Sequence, residues 1–128
     1  MMTLRKISPR RYTIEGKPMS INNAKRPLPV KGKLRLVTTG AARKWKDSAK
    51  VQLMAQHMPA PAIEIPCEVC IDLYLPTLAG DADNYVKLTL DALQDARVIA
   101  NDRQVQRLTV SKQKDKENPR TEITITTP

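Results

Sequence analysis

Asp81 and Asp83 are separated by a single residue in the stretch GDADNYVKLTLDAL (80–93), and Lys87 and Asp91 follow at intervals of four. In an extended turn, side chains at i and i+2 project the same way, so both carboxylates can face one cation. A hard divalent cation such as Mg²⁺ takes oxygen ligands in an octahedron and keeps several waters, so two or three carboxylates suffice. A third acid is available in ANDRQV, where Asp102 returns after the intervening helix, and Asp91 is another candidate. A cation held there would bridge to a phosphate oxygen and lower the pKa of a bound water, which is the chemistry of phosphodiester hydrolysis. Lys87 would then stabilise the extra negative charge of a pentacovalent transition state or orient the water. A plainer account covers the same residues. Asp83 or Asn84 caps a helix, and Lys87 joins i,i+4 pairs worth about a few tenths of a kcal/mol each. DxD is short and common, so its spacing alone does not decide between the two.

The charge of the rest of the chain bears on the choice. The formal net charge is +9, and it is unevenly spread. Residues 1–60 hold 14 Lys/Arg against Glu15 and Asp47, whereas residues 61–128 hold 8 Lys/Arg against 11 Asp/Glu. Repeating phosphates are the natural partner of such a basic half, because each neutralised phosphate releases condensed counterions without any reading of bases. Solvated surface charge is the alternative. Acids gathered at a turn would repel a polyanion unless a cation sat between them, so the two features together point to a metal-dependent nuclease.

The elements that must position these residues follow from periodicity. RRYTIEG reads as a first strand with Tyr12 and Ile14 inward. KPMSINNAKRPLPVKGK, rich in Pro, Asn and Lys, reads as a basic loop without a regular ladder. LRLVTT is a second strand, and Thr38 or Thr39 caps a helix over about Gly40–His57, which Trp45 anchors in the core. CEVCIDLYL alternates as a strand, and apolar spacing predicts a helix from about Asn84 to Arg97. QVQRLTVSK and RTEITIT are two further strands, with KQKDKENP suited to a hairpin tip between them. This order argues for an α/β or α+β fold, a mixed β-sheet with two main helices packed against it, in a single domain spanning residues 1–128.

No stretch has the apolar run of a signal peptide or the roughly 20 apolar residues that span a bilayer, so a cytoplasmic, nucleoid-associated protein is expected. Cys67 and Cys70 form a lone CxxC without two further zinc ligands, and as members of a strand they point to opposite faces, which favours core thiols.

DADNYVKLTLDAL, followed by NDRQV and a closing TEITIT strand, resembles the RusA family of Holliday junction resolvases, whose pattern is DxDNxxK, then DAL, then an acidic pair before Gln. IEGKPMSINNAKR is similar to the family's strand and Pro-x-Ser-x-Asn loop, and TTGAARKWKDSAK to its first helix. The resemblance implies a small homodimeric endonuclease, dependent on Mg²⁺ with Mn²⁺ as a substitute, that cuts four-way DNA by paired symmetric nicks in recombination and repair. Carried over, Asp81, Asp83 and Asp102 would be the metal-binding catalytic carboxylates, Lys87 the catalytic lysine and Asp91 a supporting acid. The basic loop and first helix, with Lys25, Arg26, Lys31, Lys33, Arg43, Lys44 and Lys46, would cradle the DNA backbone. Three positions depart from the pattern. Asn101 replaces the first Asp of the acidic pair, and Arg97 replaces a common glycine, so that the turn after the second helix must be made differently. Gly80 stands where some members have an Arg that would contact DNA. Two other classes stay open: a non-catalytic basic DNA-binding module of a prophage, and a DxD nucleotide-sugar transferase, for which the chain is short.

Overall fold

Strand alternation builds the centre of the molecule. In β4 (Cys67–Leu75) the residues Cys67, Val69, Ile71, Leu73 and Leu75 are buried on one face, while Glu68, Cys70, Asp72 and Tyr74 occupy the other. The computed structural model describes residues 9–23 and 25–128, without the side chains of Asn23, Lys25 and Thr38. Four strands form one mixed sheet in the order β1 (Arg10–Glu15), β6 (Arg120–Thr126), β4, β5 (Val105–Lys114). β6 is antiparallel to both of its neighbours, and β5 is parallel to β4. A parallel pair needs a crossover, and helix α2 (Val86–Asp95) supplies it between β4 and β5. Helix α1 (Gly40–His57) packs on α2 and β1, and both helices close one aliphatic core with the sheet. The result is an α+β fold of the expected kind. Among the described residues no helix is long and apolar enough to cross a membrane.

Two expected connections are made otherwise. The tip KQKDKENP does not join a hairpin, because β4 lies between β5 and β6. β6 buries Thr121, Ile123 and Ile125 and needs a neighbour on each side, whereas the more exposed β5 tolerates an edge. Stepping over β4 spans about two strand spacings, or roughly 9.6 Å. The loop from Asp115 to Pro119 crosses there, with the Asp115 N–H bonded to the Leu75 carbonyl at 2.8 Å. The basic stretch after β1 is likewise not a ladderless loop. Its second half is β2 (Lys25–Val30), paired antiparallel with β3 (Lys33–Thr38) in a sheet of their own. Lys31 (φ 51°) and Gly32 (φ 77°) make the two-residue turn of the type that matches strand twist. Such a turn makes Val30 and Lys33 a hydrogen-bonded pair, so Pro27 and Pro29 fall at the alternate positions, whose N–H would face away from the partner.

Helix α1 has the expected bounds. Thr39 Oγ1 accepts from the Ala42 N–H at 3.2 Å, and Trp45 is buried with Ala42, Ala49 and Leu53. Its glutamines also blunt the outer edge of β1: Gln56 accepts from the Thr13 N–H and donates to the Thr13 carbonyl, both at 2.7 Å, and Gln52 serves Glu15 in the same way. At the end of α1, His57 Nε2 donates to the Pro61 carbonyl at 2.9 Å, which leaves Nδ1 to accept from the Tyr12 hydroxyl at 2.7 Å. As expected of a strand, Cys67 and Cys70 face opposite ways; only Cys67 is in the core, while Cys70 is half-buried beside Asp72 on the polar face.

Helix α2 is shorter than the predicted span, because Ala82–Tyr85 wind as a 3₁₀ turn before it. It ends with the Val98 N–H bonded to the Leu93 carbonyl and the Arg97 N–H to the Gln94 carbonyl, the paired bonds of a Schellman cap. Arg97 sits at φ 60°, so the turn is made just as a glycine would make it, at a cost of roughly 1–2 kcal/mol to an L-residue.

Candidate active site

The turn that presents Asp81 and Asp83 is tied down from β5. Lys112 Nζ donates to the carbonyls of Leu78 at 2.9 Å and Gly80 at 2.6 Å, while Gly80 takes φ 92°. Asp81 is extended (φ −90°, ψ 136°), and its carbonyl accepts from the Asn84 N–H at 3.1 Å to start the 3₁₀ turn. Its side chain makes no cap bond, and Tyr85, the residue that caps α2, makes none either. The expectation that Asp83 or Asn84 caps the helix is therefore not met. Asp81 and Asp83 are exposed, and neither carboxylate has a hydrogen-bond or ion-pair partner among the described residues.

The stripe Asp83, Lys87, Asp91 is only half realised, since Asp83 lies in the 3₁₀ turn. Lys87 Nζ pairs with Asp91 at 2.9 Å instead, with the lysine side chain 58% and the aspartate 22% exposed. The hydrogen bond and charge of Asp91, with a further pull from Asp102, hold the Lys87 ammonium above its ordinary pKa. Lys87 is thus a fixed cation at neutral pH and is unsuited to act as a base. For folding, a raised lysine pKa contributes stability that is present below the unfolded value near 10.4 and lost as pH rises through the folded one. So exposed a pair is worth about 0.3–0.5 kcal/mol.

Asp102 is positioned through its backbone. Gln94, three residues beyond Asp91 on α2, accepts from the Asp102 N–H with Oε1 at 3.0 Å. Asn101, in the place of the family's first Asp, caps the turn Asp102–Gln104 by accepting from the Arg103 N–H at 2.9 Å. Gln104 completes a capping box: its Oε1 accepts from the Asn101 N–H at 2.7 Å, while its Nε2 donates to the carbonyls of Ile63 at 2.7 Å and Ile65 at 2.9 Å. Asn101 is thereby spent on the cap, and Asp102 is the only carboxylate of its turn.

Among the described residues no three acidic, histidine or cysteine side chains come close enough together to hold a metal ion. Asp81, Asp83 and Asp102 therefore do not form a closed cage. The donor set still suits Mg²⁺, which usually keeps its waters and binds through one or two carboxylates plus substrate phosphates. Two unpartnered carboxylates on one turn supply that number of hard oxygen ligands.

The basic residues lie in two places. Arg26, Lys31 and Lys33 are exposed on the β2–β3 hairpin; Lys25 is in β2, but its side chain lies outside the described residues. On α1, Arg43 and Lys44 are exposed and Lys46 is half-buried, and Arg43, Lys46 and Lys50 line one hollow with Asp47 and Asp95. Sequence reasoning missed Lys112, Gln94 and Gln104. Lys112 left a readable signal, because it shares the inward parity of Leu108 and Val110 in β5, where a lysine must reach a polar partner. A search of curated proteins finds no significant match. A family profile described as endodeoxyribonuclease RusA matches residues 15–126, from the last residue of β1 to the last of β6, and so spans the carboxylate turn, α2 and the Asp102 turn. The chain belongs to the RusA endodeoxyribonuclease family.

Proposed function

We propose that this protein is a Mg²⁺-dependent endodeoxyribonuclease that resolves four-way DNA junctions by paired symmetric hydrolysis, acting as a homodimer in recombination and repair. The observation that carries the reading is the pair of exposed carboxylates, Asp81 and Asp83, which neither cap the helix nor pair with any described residue. In a module that only bound DNA, two such charges beside a basic surface would oppose the phosphates. Family membership supports the nuclease chemistry.

In this reading Asp81 and Asp83 would hold the cation directly and Asp102 would reach it through one of the waters it keeps, and Mn²⁺ could replace Mg²⁺. When bound, the cation supplies Lewis acidity toward the scissile phosphate and makes a water nucleophilic at neutral pH. The side chains do the positioning. Lys112 fixes the carbonyls just before Asp81, Gln94 and Gln104 fix the backbone of Asp102, and Asp91 holds Lys87. The Lys87 ammonium, charged throughout, stabilises the negative charge that builds on the phosphoryl oxygens. Arg26, Lys31, Lys33, Arg43, Lys44 and Lys46, with Lys25, hold the backbone without reading sequence. A twofold dimer would offer two such sites to the two symmetry-related strands of a junction.

The test is incubation of the full chain with a synthetic four-way junction and with a linear duplex of the same sequence, in Mg²⁺ or in EDTA. Symmetric nicks in the junction alone, and only with Mg²⁺, are expected. Binding without cutting sinks the nuclease, and equal cutting of both DNAs sinks the junction specificity.

A further inference from the structure

The β2–β3 hairpin has a surface that the phosphate contacts do not use. Cross-strand partners share a face, so Pro27 with Leu36 and Pro29 with Leu34 form one continuous apolar side. Leu34 is 77% and Leu36 71% exposed, among the most exposed large apolar side chains described. The other side carries Arg26, Lys33 and Arg35 beside Leu28 and Val30, and Lys31 is at the tip. A two-stranded ribbon outside the main sheet is marginal by itself in water, so an apolar face of this kind calls for an occupant.

Two observations say what that occupant is. The first is charge: residues 25–38 hold five Lys/Arg and no acid. Arg26, Lys33 and Arg35 lie on the side opposite the leucines, so a second copy seated on the apolar face would leave them without a counter-charge, whereas DNA that surrounds the ribbon meets them with phosphates. The second is position. The hairpin is entered from the short turn Ile21–Asn23, which touches the 3₁₀ turn Ala82–Tyr85 that carries Asp83. DNA held at the carboxylates therefore lies next to the ribbon.

Resting on the resolvase reading above, we propose that the face formed by Pro27, Pro29, Leu34 and Leu36 is a wedge that packs against bases opened at the branch point of the DNA. Apolar side chains enter a base step only where the stack can be parted, at a cost of about a few kcal/mol per step in an intact duplex. At a branch point the stacking is already interrupted, and the cost is smaller. The cations of the ribbon hold the flanking phosphates while the leucines cover the exposed base face. The wedge thus gives preference for branched over linear DNA without any base-specific hydrogen bond.

The test uses two four-way junctions with 2-aminopurine either at the branch point or in the middle of an arm. The full chain is added in EDTA so that no strand is cut. Branch-point emission is expected to rise on binding and mid-arm emission to stay level. Leu34→Ser/Leu36→Ser should abolish the rise and lower the preference for junction over duplex by about tenfold or more. Leu34→Met/Leu36→Met should retain both. Because the leucines are exposed, the circular dichroism and Tm of the serine variant should match wild type. An unchanged rise in the serine variant, or no rise with wild type, overturns the wedge. So does a serine variant that sediments as a smaller species than wild type, which would assign the face to an interface between copies. Mg²⁺-dependent cutting of the unlabelled junction is measured alongside. No cutting at all defeats the resolvase reading, whereas cutting without a branch-point signal defeats only the wedge.

Discussion

Asp83→Asn is expected to cut a four-way junction roughly 10²–10³-fold more slowly in Mg²⁺ than wild type, as removal of a charge-stabilising group from a hydrolytic centre does. The substitution keeps the shape of the side chain and removes its charge. Because the Asp83 carboxylate is exposed and has no partner among the described residues, no native contact is broken, and Tm should stay within experimental scatter of wild type. Junction affinity in EDTA should be unchanged or higher, because one source of repulsion toward phosphate has gone. Slow cutting together with lost binding, or with a lowered Tm, would instead make Asp83 a structural residue. Single-turnover cleavage, a binding isotherm and a melting curve on the same preparation separate these outcomes.

Gln104→Ala should lower stability by about 2–3 kcal/mol, an estimate from three net hydrogen bonds at roughly 1 kcal/mol each. One amide side chain serves the Asn101 N–H and the carbonyls of Ile63 and Ile65, so it joins the connector before β4 to the turn that carries Asp102. Its removal takes this partner from the Asn101 N–H and the Ile65 carbonyl, while the Ile63 carbonyl keeps only the Ala100 N–H at 3.1 Å, and it loosens Asp102, so kcat should fall as well. Gln104→Glu is the informative companion. It is nearly isosteric, yet it would turn a carboxylate oxygen toward two carbonyls that need a donor, and it should be no more stable than Gln104→Ala at neutral pH. Urea unfolding of the two variants checks the order; a glutamate variant as stable as wild type would show that the two Nε2 bonds contribute nothing.

Strand β4, helix α1 and the apolar stripe of α2 were legible in the sequence because each buries one face against the sheet, and burial imposes a period of 2 or 3.6. Strand β3 was read as LRLVTT, but β2 and its pairing were not, because both faces of the hairpin are largely exposed and two prolines read as breakers. The useful signal was local: Lys31–Gly32 between LPV and KLRL is a two-residue turn flanked by alternating side chains. The position of β6 between β1 and β4 was equally hidden, since alternation fixes which face is buried but not which neighbour a strand takes. At the site, the residue types of Asp81, Asp83, Lys87 and Asp102 stood out from the chain. The groups that orient them did not, because Gln94 and Gln104 act through backbone atoms remote in sequence or around a tight turn.

Mn²⁺ added at a small fraction of the protein concentration tests the metal assignment most directly, since its unpaired electrons broaden only the NMR signals of nearby nuclei. Selective loss of the backbone amide signals of Asp81–Asn84 and Asp102–Arg103 in the ¹⁵N-labelled protein is expected, with Asp83→Asn weakening the effect at both turns. Broadening centred on another acidic stretch, such as Asp115–Glu117, with residues 81–84 and 102 untouched, would contradict a cation site built from Asp81, Asp83 and Asp102.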